Sequence, residues 1–234
     1  MLTIQFAAAP ADASTPLIIP VRKTGLDEGF ARAPGEVAAI AAGAADQTRF
    51  DGSAGSALEQ FVNANGAPRR IIFIGIGSGE GADVEKGGGA AIGRLLASKA
   101  TSAHADLTGL DEDAARRFAL AALLRSWRIE RYKTKIKDDA KPVLATLSIS
   151  GAGSEAMVRD VAALAEGVAF TRELVSEPGN ILYPESFVER CRGHAEAGIA
   201  VSVLDDAKMR DLGMGALIGV GQGSARPPRI LALE

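Results

Sequence analysis

Apolar runs of strand length alternate with segments of helical spacing along this chain. Strand-like runs occur at Leu2–Phe6 and Leu17–Val21, and the helix-forming run Glu36–Ala42 follows the break at Pro34-Gly35. The order is strand, strand, helix. A mixture of both element types therefore begins at the first residues.

The strongest strand signal is the uninterrupted apolar run Ile71–Ile74, which predicts a central strand covered on both faces. Ala57–Val62 leads into this run through the turn signal Asn65-Gly66. Glycines at 75, 77, 79 and 81 then precede a predicted helix from about Val84 to Ser98. Strand, loop and helix in this order form an α/β unit.

Another helix is indicated after the acidic residues Asp111–Asp113. Its apolar residues at helical spacing are Leu120, Leu123, Leu124 and Trp127. Pro142–Ile149 restores a strand-like run, and the small residues Ser150–Gly153 mark a boundary. We therefore place a first α/β domain at residues 1–152.

A long helix is predicted to connect two domains over residues 153–177. Ser154 caps its start with Glu155 in the first turn, and the helix ends before Pro178. A length of about 22 residues gives ~33 Å, enough to join two domains. Its apolar stripe consists of Met157, Val161, Leu164, Ala165, Val168 and Ala169.

Residues 178–234 predict the incomplete opening of a second α/β domain. The predicted elements are a helix near Glu185–Glu196, a strand at Ala200–Leu204, a short helix ending at Gly213 and a strand at Arg229–Leu233. Roughly 55 residues are few for an independent core. We therefore expect Ala216–Leu233 to expose apolar surface.

Composition and charge narrow the function classes. The net charge of -3, from 26 basic and 29 acidic residues, gives no overall field for nucleic acid or an anionic membrane. The single cysteine excludes an intramolecular disulfide, and His104 and His194 share no zinc-motif spacing. Met1–Phe6 lacks a basic leader, and no run approaches the roughly 20 apolar residues of a membrane span. These features predict a soluble, cytoplasmic protein.

Three blocks of sequence resemble the leucine aminopeptidases of the cytosol aminopeptidase family. TRELVSEPGNILYPESF, at 171–187, is similar to the junction between connecting helix and catalytic domain. MRDLGMGALIGVGQGSARPP, at 209–228, is a more specific block of the same kind. AALLRSWRIERYKT, at 121–134, resembles the helix and basic exit of the family's N-terminal domain. The blocks occur in the family's order.

This resemblance implies a macro-like N-terminal domain with a mixed sheet between helices, a long connecting helix and the start of an α/β metallopeptidase domain at 178–234. It also implies a homohexameric enzyme that removes N-terminal residues from peptides with two divalent metal ions: manganese, zinc or magnesium. Such metals polarise the scissile carbonyl and lower the pKa of a bridging water.

The family's metal ligands begin in a glycine-rich segment after the strand that Arg229–Leu233 matches. This chain ends at Glu234, and none of its positions matches those ligands, the second lysine or the arginine-containing loop. The resemblance therefore assigns no catalytic, cofactor-binding or metal-binding residue to this chain. Alone, the chain is expected to be inactive.

Two glycine-rich segments have both a structural and a functional interpretation. Gly75–Gly81 (GIGSGEG) resembles a phosphate-cradling loop, but Glu80 replaces the third glycine of GxGxxG and no GK[ST] follows. A structural turn is preferred over phosphate or ADP-ribose binding. Gly219–Ser224 (GVGQGS) borders an active site or forms a packing turn, and offers only the neutral oxygens of Gln222 and Ser224 as divalent ligands.

A basic segment with two aromatic residues is the candidate for phosphate contacts with nucleic acid. Its residues are Trp127, Arg128, Arg131, Tyr132, Lys133, Lys135, Lys137 and Lys141. Asp138-Asp139 dilute the charge, and cations at a helix C-terminus offset the helix dipole. The preferred interpretation is therefore structural.

Acidic and metal-ligating side chains elsewhere form no complete site by spacing. Glu166, Glu173 and Glu177 are interpreted as a solvated helix face. Cys191 and His194 lie three positions apart on a predicted helix, but two ligands do not make a zinc site. The competing function is a stand-alone binding or oligomerisation module for an ADP-ribose-like ligand or nucleic acid.

Overall fold

The computed structural model describes residues 2–64, 66–137, 141–193 and 198–234. The chain divides into two compact units, Met1–Ala169 and Phe170–Glu234. The first unit contains a six-stranded sheet and the second a two-stranded sheet.

The sheet of the first unit is mixed. Its strands are β1 (Thr3–Phe6), β2 (Leu17–Val21), β3 (Ala57–Ala64), β4 (Ala67–Gly75), β5 (Ser102–Asp106) and β6 (Thr146–Ser150). Their order is β1-β6-β5-β2-β4-β3, and every neighbouring pair is parallel except the β3–β4 hairpin. This architecture confirms the predicted α/β class.

Helices cover both faces of this sheet. They are α1 (Leu26–Phe30), α2 (Gly35–Thr48), α3 (Gly81–Leu95), α4 (Glu112–Ser126) and α5 (Glu155–Ser176). One apolar cluster joins α1 and α2 to β2, β3 and β4, and the other joins α3, α4 and α5 to the opposite face. Ile72 and Ile74 belong to the second cluster and Ile71 and Phe73 to the first, so β4 is buried on both faces as predicted.

Helices α3 and α4 pack closely because small residues line their contact. A Cβ added to Gly88 would lie 2.5 Å from the carbonyl oxygen of Phe118. Asp111 caps α4, with Oδ1 accepting from Ala114 N at 2.8 Å. The predicted stripe is partly wrong, because Trp127 lies beyond the helix. The buried residues of α4 are Ala114, Ala115, Phe118, Ala119, Ala122 and Leu123.

Helix α5 has the predicted length, 22 residues. Ser154 Oγ accepts from Met157 N at 3.1 Å, which confirms the predicted cap. Met157, Val161 and Ala165 are buried at a spacing of four residues. Leu164 is 54% exposed, so its place in the predicted stripe is wrong. The stripe predicted from sequence was wider than the face that the sheet covers.

The second unit contains short elements. They are α6 (Pro184–Arg192), β7 (Val201–Leu204), α7 (Asp206–Asp211), α8 (Gly215–Gly221) and β8 (Ile230–Leu233), with β7 and β8 antiparallel. No residue of α8 is buried, and Val220 is 90% exposed. The expected exposure of apolar side chains within Ala216–Leu233 is therefore found.

Candidate functional site

A crevice opens between the carboxyl ends of β2 and β5. The two strands pair only at Leu17 with His104 and Ile18 with Ala105, and Pro20 then has no N–H to donate. The connection leaving β2 runs toward β4, whereas β5 connects to β6 on the other side. Open α/β sheets commonly bind ligands where connections diverge in this way. A cavity of about 140 Å³ lies at this point.

The guanidinium of Arg32 spans the crevice. Its Nη1 donates to the carbonyl oxygens of Asp106 (3.1 Å) and Thr108 (2.8 Å), and its Nη2 donates to that of Pro20. Burial lowers the pKa of Arg32, and the Asp106 carboxylate, 3.7 Å away, opposes that shift. Arg32 therefore satisfies carbonyl groups that the diverging strands leave without ladder partners.

The amides of residues 75–79 in the glycine-rich loop are engaged within the protein. Each of five consecutive N–H groups has an acceptor: Gly75 with Ser56 O, Ile76 with Val21 O, Gly77 with Gly52 O, Ser78 with Asp83 Oδ2 and Gly79 with Ile76 O. A Cβ on Gly79, where φ is 87°, would lie 2.3 Å from Arg22 Nε. These contacts favour the structural turn over a phosphate cradle, since an anion would have to displace existing hydrogen bonds.

The segment Gly219–Ser224 begins inside α8. The predicted packing turn is therefore found only at Gln222-Gly223, and it is wrong for 219–221, which are helical. A Cβ on Gly221 would lie 2.9 Å from Pro228 Cγ, which explains the small residue. A cavity of about 190 Å³ lies beside this segment. Its lining includes Asp206, Arg210, Gln222 and Ser224.

The three glutamates of the connecting segment differ in their surroundings. Glu166 is exposed and Glu173 is half-buried. The side chain of Glu177 is 0% exposed, and its Oε1 accepts from Arg190 Nη2 at 3.0 Å. The prediction of a solvated face is therefore wrong for Glu177. Glu177 follows the last residue of α5, so helical spacing does not predict whether its side chain is exposed.

The remaining candidate residues lie in or just after α6 and in the segment that follows α4. Cys191 is buried in α6, and burial raises the pKa of its thiol. His194 lies outside the described residues, as does Asp138-Asp139. The basic segment is irregular where the structure describes it, at 127–137 and 141.

In the described residues, no three or more His, Cys, Asp or Glu side chains come together as a metal-binding group. Those described residues therefore do not by themselves form a two-metal centre. No helix in the same ranges is both long and apolar enough to cross a membrane.

Two descriptions of one family match successive parts of the chain. Residues 22–136 match the N-terminal domain of the cytosol aminopeptidase family, and residues 169–234 match its catalytic domain. The probable cytosol aminopeptidase of Methylorubrum populi is 40% identical over 200 residues, covering 82% of this chain and 40% of that protein. That of Rhizobium leguminosarum bv. trifolii is 35% identical over 230 residues, covering 93% and 46%.

Solved structures share the fold. A mutant of tomato leucine aminopeptidase aligns with a TM-score of 0.80 and 22% identity, covering 99% of this chain and 50% of that chain. The bottromycin maturation enzyme BotP in complex with Mn aligns with a TM-score of 0.73 and 24% identity, covering 95% and 45%. The chain thus spans about half or less of the length of these proteins. With both family domains matched in order, the chain belongs to the cytosol aminopeptidase family.

Proposed function

We propose that this chain forms the N-terminal macro-like domain, the connecting helix and the first part of the catalytic domain of a metal-dependent leucyl aminopeptidase. The domains would be residues 1–152, 153–177 and 178–234. The observation that carries the proposal is the match of 169–234 to the family's catalytic domain, preceded by the match of 22–136 to its N-terminal domain. The reaction would be removal of N-terminal residues from peptides in the cytoplasm.

The metal ions of this reaction would be held outside residues 1–234. Manganese, zinc or magnesium are the ions that the family resemblance implies, and one solved structure with the same fold is a complex with Mn. The described residues bring no metal-binding group together. We propose that its role is to supply the scaffold on which the catalytic segment folds, and that alone it is inactive.

The test compares the 234-residue chain with a chimera that continues into the remaining catalytic sequence of the Methylorubrum populi relative. Both are assayed with a leucyl chromogenic substrate in the presence of manganese or zinc. We expect turnover by the chimera that a chelator abolishes, and none by the chain alone. Turnover by the chain alone would refute its inactivity, and a folded but inactive chimera would refute the assignment.

Assembly is a further part of the proposal. The family resemblance supports a homohexamer, and mass photometry of the chimera measures this directly. A species of six subunits is expected at submicromolar concentration. A chimera that is active but monomeric would remove the hexamer from the proposal without affecting the aminopeptidase assignment.

A further inference from the structure

Half of one sheet face carries polar side chains. Alternation along the paired strands places three residues of β5 and three of β6 on the same side as Leu17. These six residues, which we call the polar half-face, are Ser102, His104, Asp106, Thr146, Ser148 and Ser150. Parallel strands in α/β proteins are normally apolar on both faces. The polar half-face is therefore a departure from what packing alone requires.

Helices α1 and α2 leave this half of the face without an apolar cover. The cluster beneath them contains side chains of β2, β3 and β4, but none of β5 or β6. A cavity of about 470 Å³ lies over the polar half-face instead, within the size range of small-molecule sites. Its polar lining consists of Arg32, Arg69, His104, Asp106, Thr108 and Ser150.

His104 is neutral, and both of its ring nitrogens are hydrogen bonded to serine hydroxyl groups. Ser148 Oγ donates to Ala103 O at 3.3 Å and so accepts from His104 Nδ1 at 2.8 Å. His104 Nε2 then accepts from Ser150 Oγ at 2.9 Å. Burial lowers the pKa of His104, which favours the neutral imidazole. The hydroxyl proton of Ser150 is therefore committed to His104, and a bound anion must be held by another donor.

Arg69 supplies that donor. Its Nε donates to Thr15 O at 3.0 Å, and neither Nη has an acceptor among the residues described. Burial lowers the pKa of Arg69, while the nearby Asp12 opposes the shift. Arg32, in contrast, is already engaged with three carbonyl groups. A partly desolvated guanidinium with both terminal nitrogens available matches a bidentate oxyanion.

We infer that the cavity over the polar half-face binds the oxyanion of a small metabolite, a carboxylate or a phosphate, through the Nη atoms of Arg69. The remainder of such a ligand would contact the apolar part of the lining, Leu17, Ala33 and Pro34. This site belongs to the first unit and is independent of the proposed peptide hydrolysis.

The test uses the complete 234-residue chain labelled with ¹⁵N and titrated at constant ionic strength with inorganic phosphate and, separately, with succinate. We expect saturable shifts of the amides of Ala9, Arg69 and Ser150, with a dissociation constant of about 1 mM or lower. The anion that binds more tightly identifies the source of the oxyanion. Shifts that do not saturate with either anion, or that sodium chloride reproduces, overturn the inference.

Three variants sharpen the test. Arg69→Met should abolish the saturable binding. Arg94→Met removes an arginine of α3 that pairs with Glu59 of β3, and it should leave the binding unchanged. Asp12→Asn should tighten binding by about twofold to threefold, because it removes a negative charge near Arg69 and keeps the Oδ1 acceptor for Ser14 and Thr15. If Arg69→Met does not fold, an unchanged affinity of Asp12→Asn overturns the inference.

Discussion

The two compact units of the chain differ in how they bury apolar side chains. In Met1–Ala169, two apolar clusters enclose the sheet, and residues such as Phe73 and Phe118 are 0% exposed. In the described part of Phe170–Glu234, the buried apolar residues are Leu174, Val188, Cys191 and Met209. Stability should therefore be distributed unevenly: backbone amides should be well protected from hydrogen exchange in the first unit and poorly protected in the second.

The largest expected effect is truncation of a core aromatic residue of the first unit. Phe118→Ala should lower the free energy of unfolding by about 3–5 kcal/mol, because the side chain is fully buried between α4 and its neighbours. The comparison in the second unit is Leu217→Ala in α8. This change should alter the free energy of unfolding by less than about 0.5 kcal/mol. Denaturant unfolding measures both, and equal effects would contradict the comparison.

A smaller, local effect is expected from Arg190→Met. This change removes the ion pair of the buried Glu177 carboxylate and should destabilise the second unit by about 2 kcal/mol. Hydrogen exchange of β7 and β8 should accelerate while that of β4 does not change. Arg192→Met is the control, since its pair with Glu189 is exposed and 3.8 Å long. Slower or unchanged exchange in the Arg190 variant would show that the pair does not stabilise this unit.

His104 gives the first unit a pH dependence. Because burial lowers its pKa below 6.5, the unfolded state binds a proton at a higher pH than the folded state. Stability should therefore be complete above pH 6.5 and decline as the pH falls below that value. The comparison is with His104→Gln, whose unfolding free energy should decline less over the same window. Identical slopes for the two proteins would exclude His104 as the cause.

The smallest expected effect is a gain in stability at Gln60. Its side-chain nitrogen and oxygen are both buried, and neither has a hydrogen-bond partner in the part of the chain that the structure describes. Gln60→Met should raise the free energy of unfolding by about 1 kcal/mol, because it removes two desolvated polar atoms at similar volume. Gln47→Met, on the exposed side of α2, should have almost no effect. A destabilised Gln60 variant would indicate a polar partner at this site.

The sequence predicted the strands that are buried on both faces of the sheet, because such strands are continuously apolar. Leu17–Val21 and Ile71–Ile74 are continuous apolar runs, and both lie in strands buried on two faces. Strand β5 was not predicted, because Ser102–Asp106 places polar residues on the half of a sheet face that α1 and α2 leave without an apolar cover. Helix α8 was not predicted either, since its glycines and exposed apolar residues show no amphipathic spacing.

The crevice at the strand ends was beyond sequence reasoning for a different reason. It depends on β2 lying between β4 and β5, which places Pro20 where a ladder hydrogen bond would otherwise form. Arg32 had no motif around it, and its partners are 12 to 76 positions away in sequence. The same applies to Arg69, His104 and Ser150, which only the strand order brings to one cavity. The absence of any metal ligand in the chain stays a prediction.

Helix α5 has a consequence for how the second unit can fold. Its first part is fixed in the core of the first unit through Met157, Val161 and Ala165, whereas its last turns, from Phe170 to Ser176, belong to the second unit. Starting a helix is the costly step, and each added residue then contributes one hydrogen bond. The second unit therefore begins on a helix that is already nucleated. Its folding should follow that of the first unit by elongation and should fail when Met157 and its neighbours are not packed.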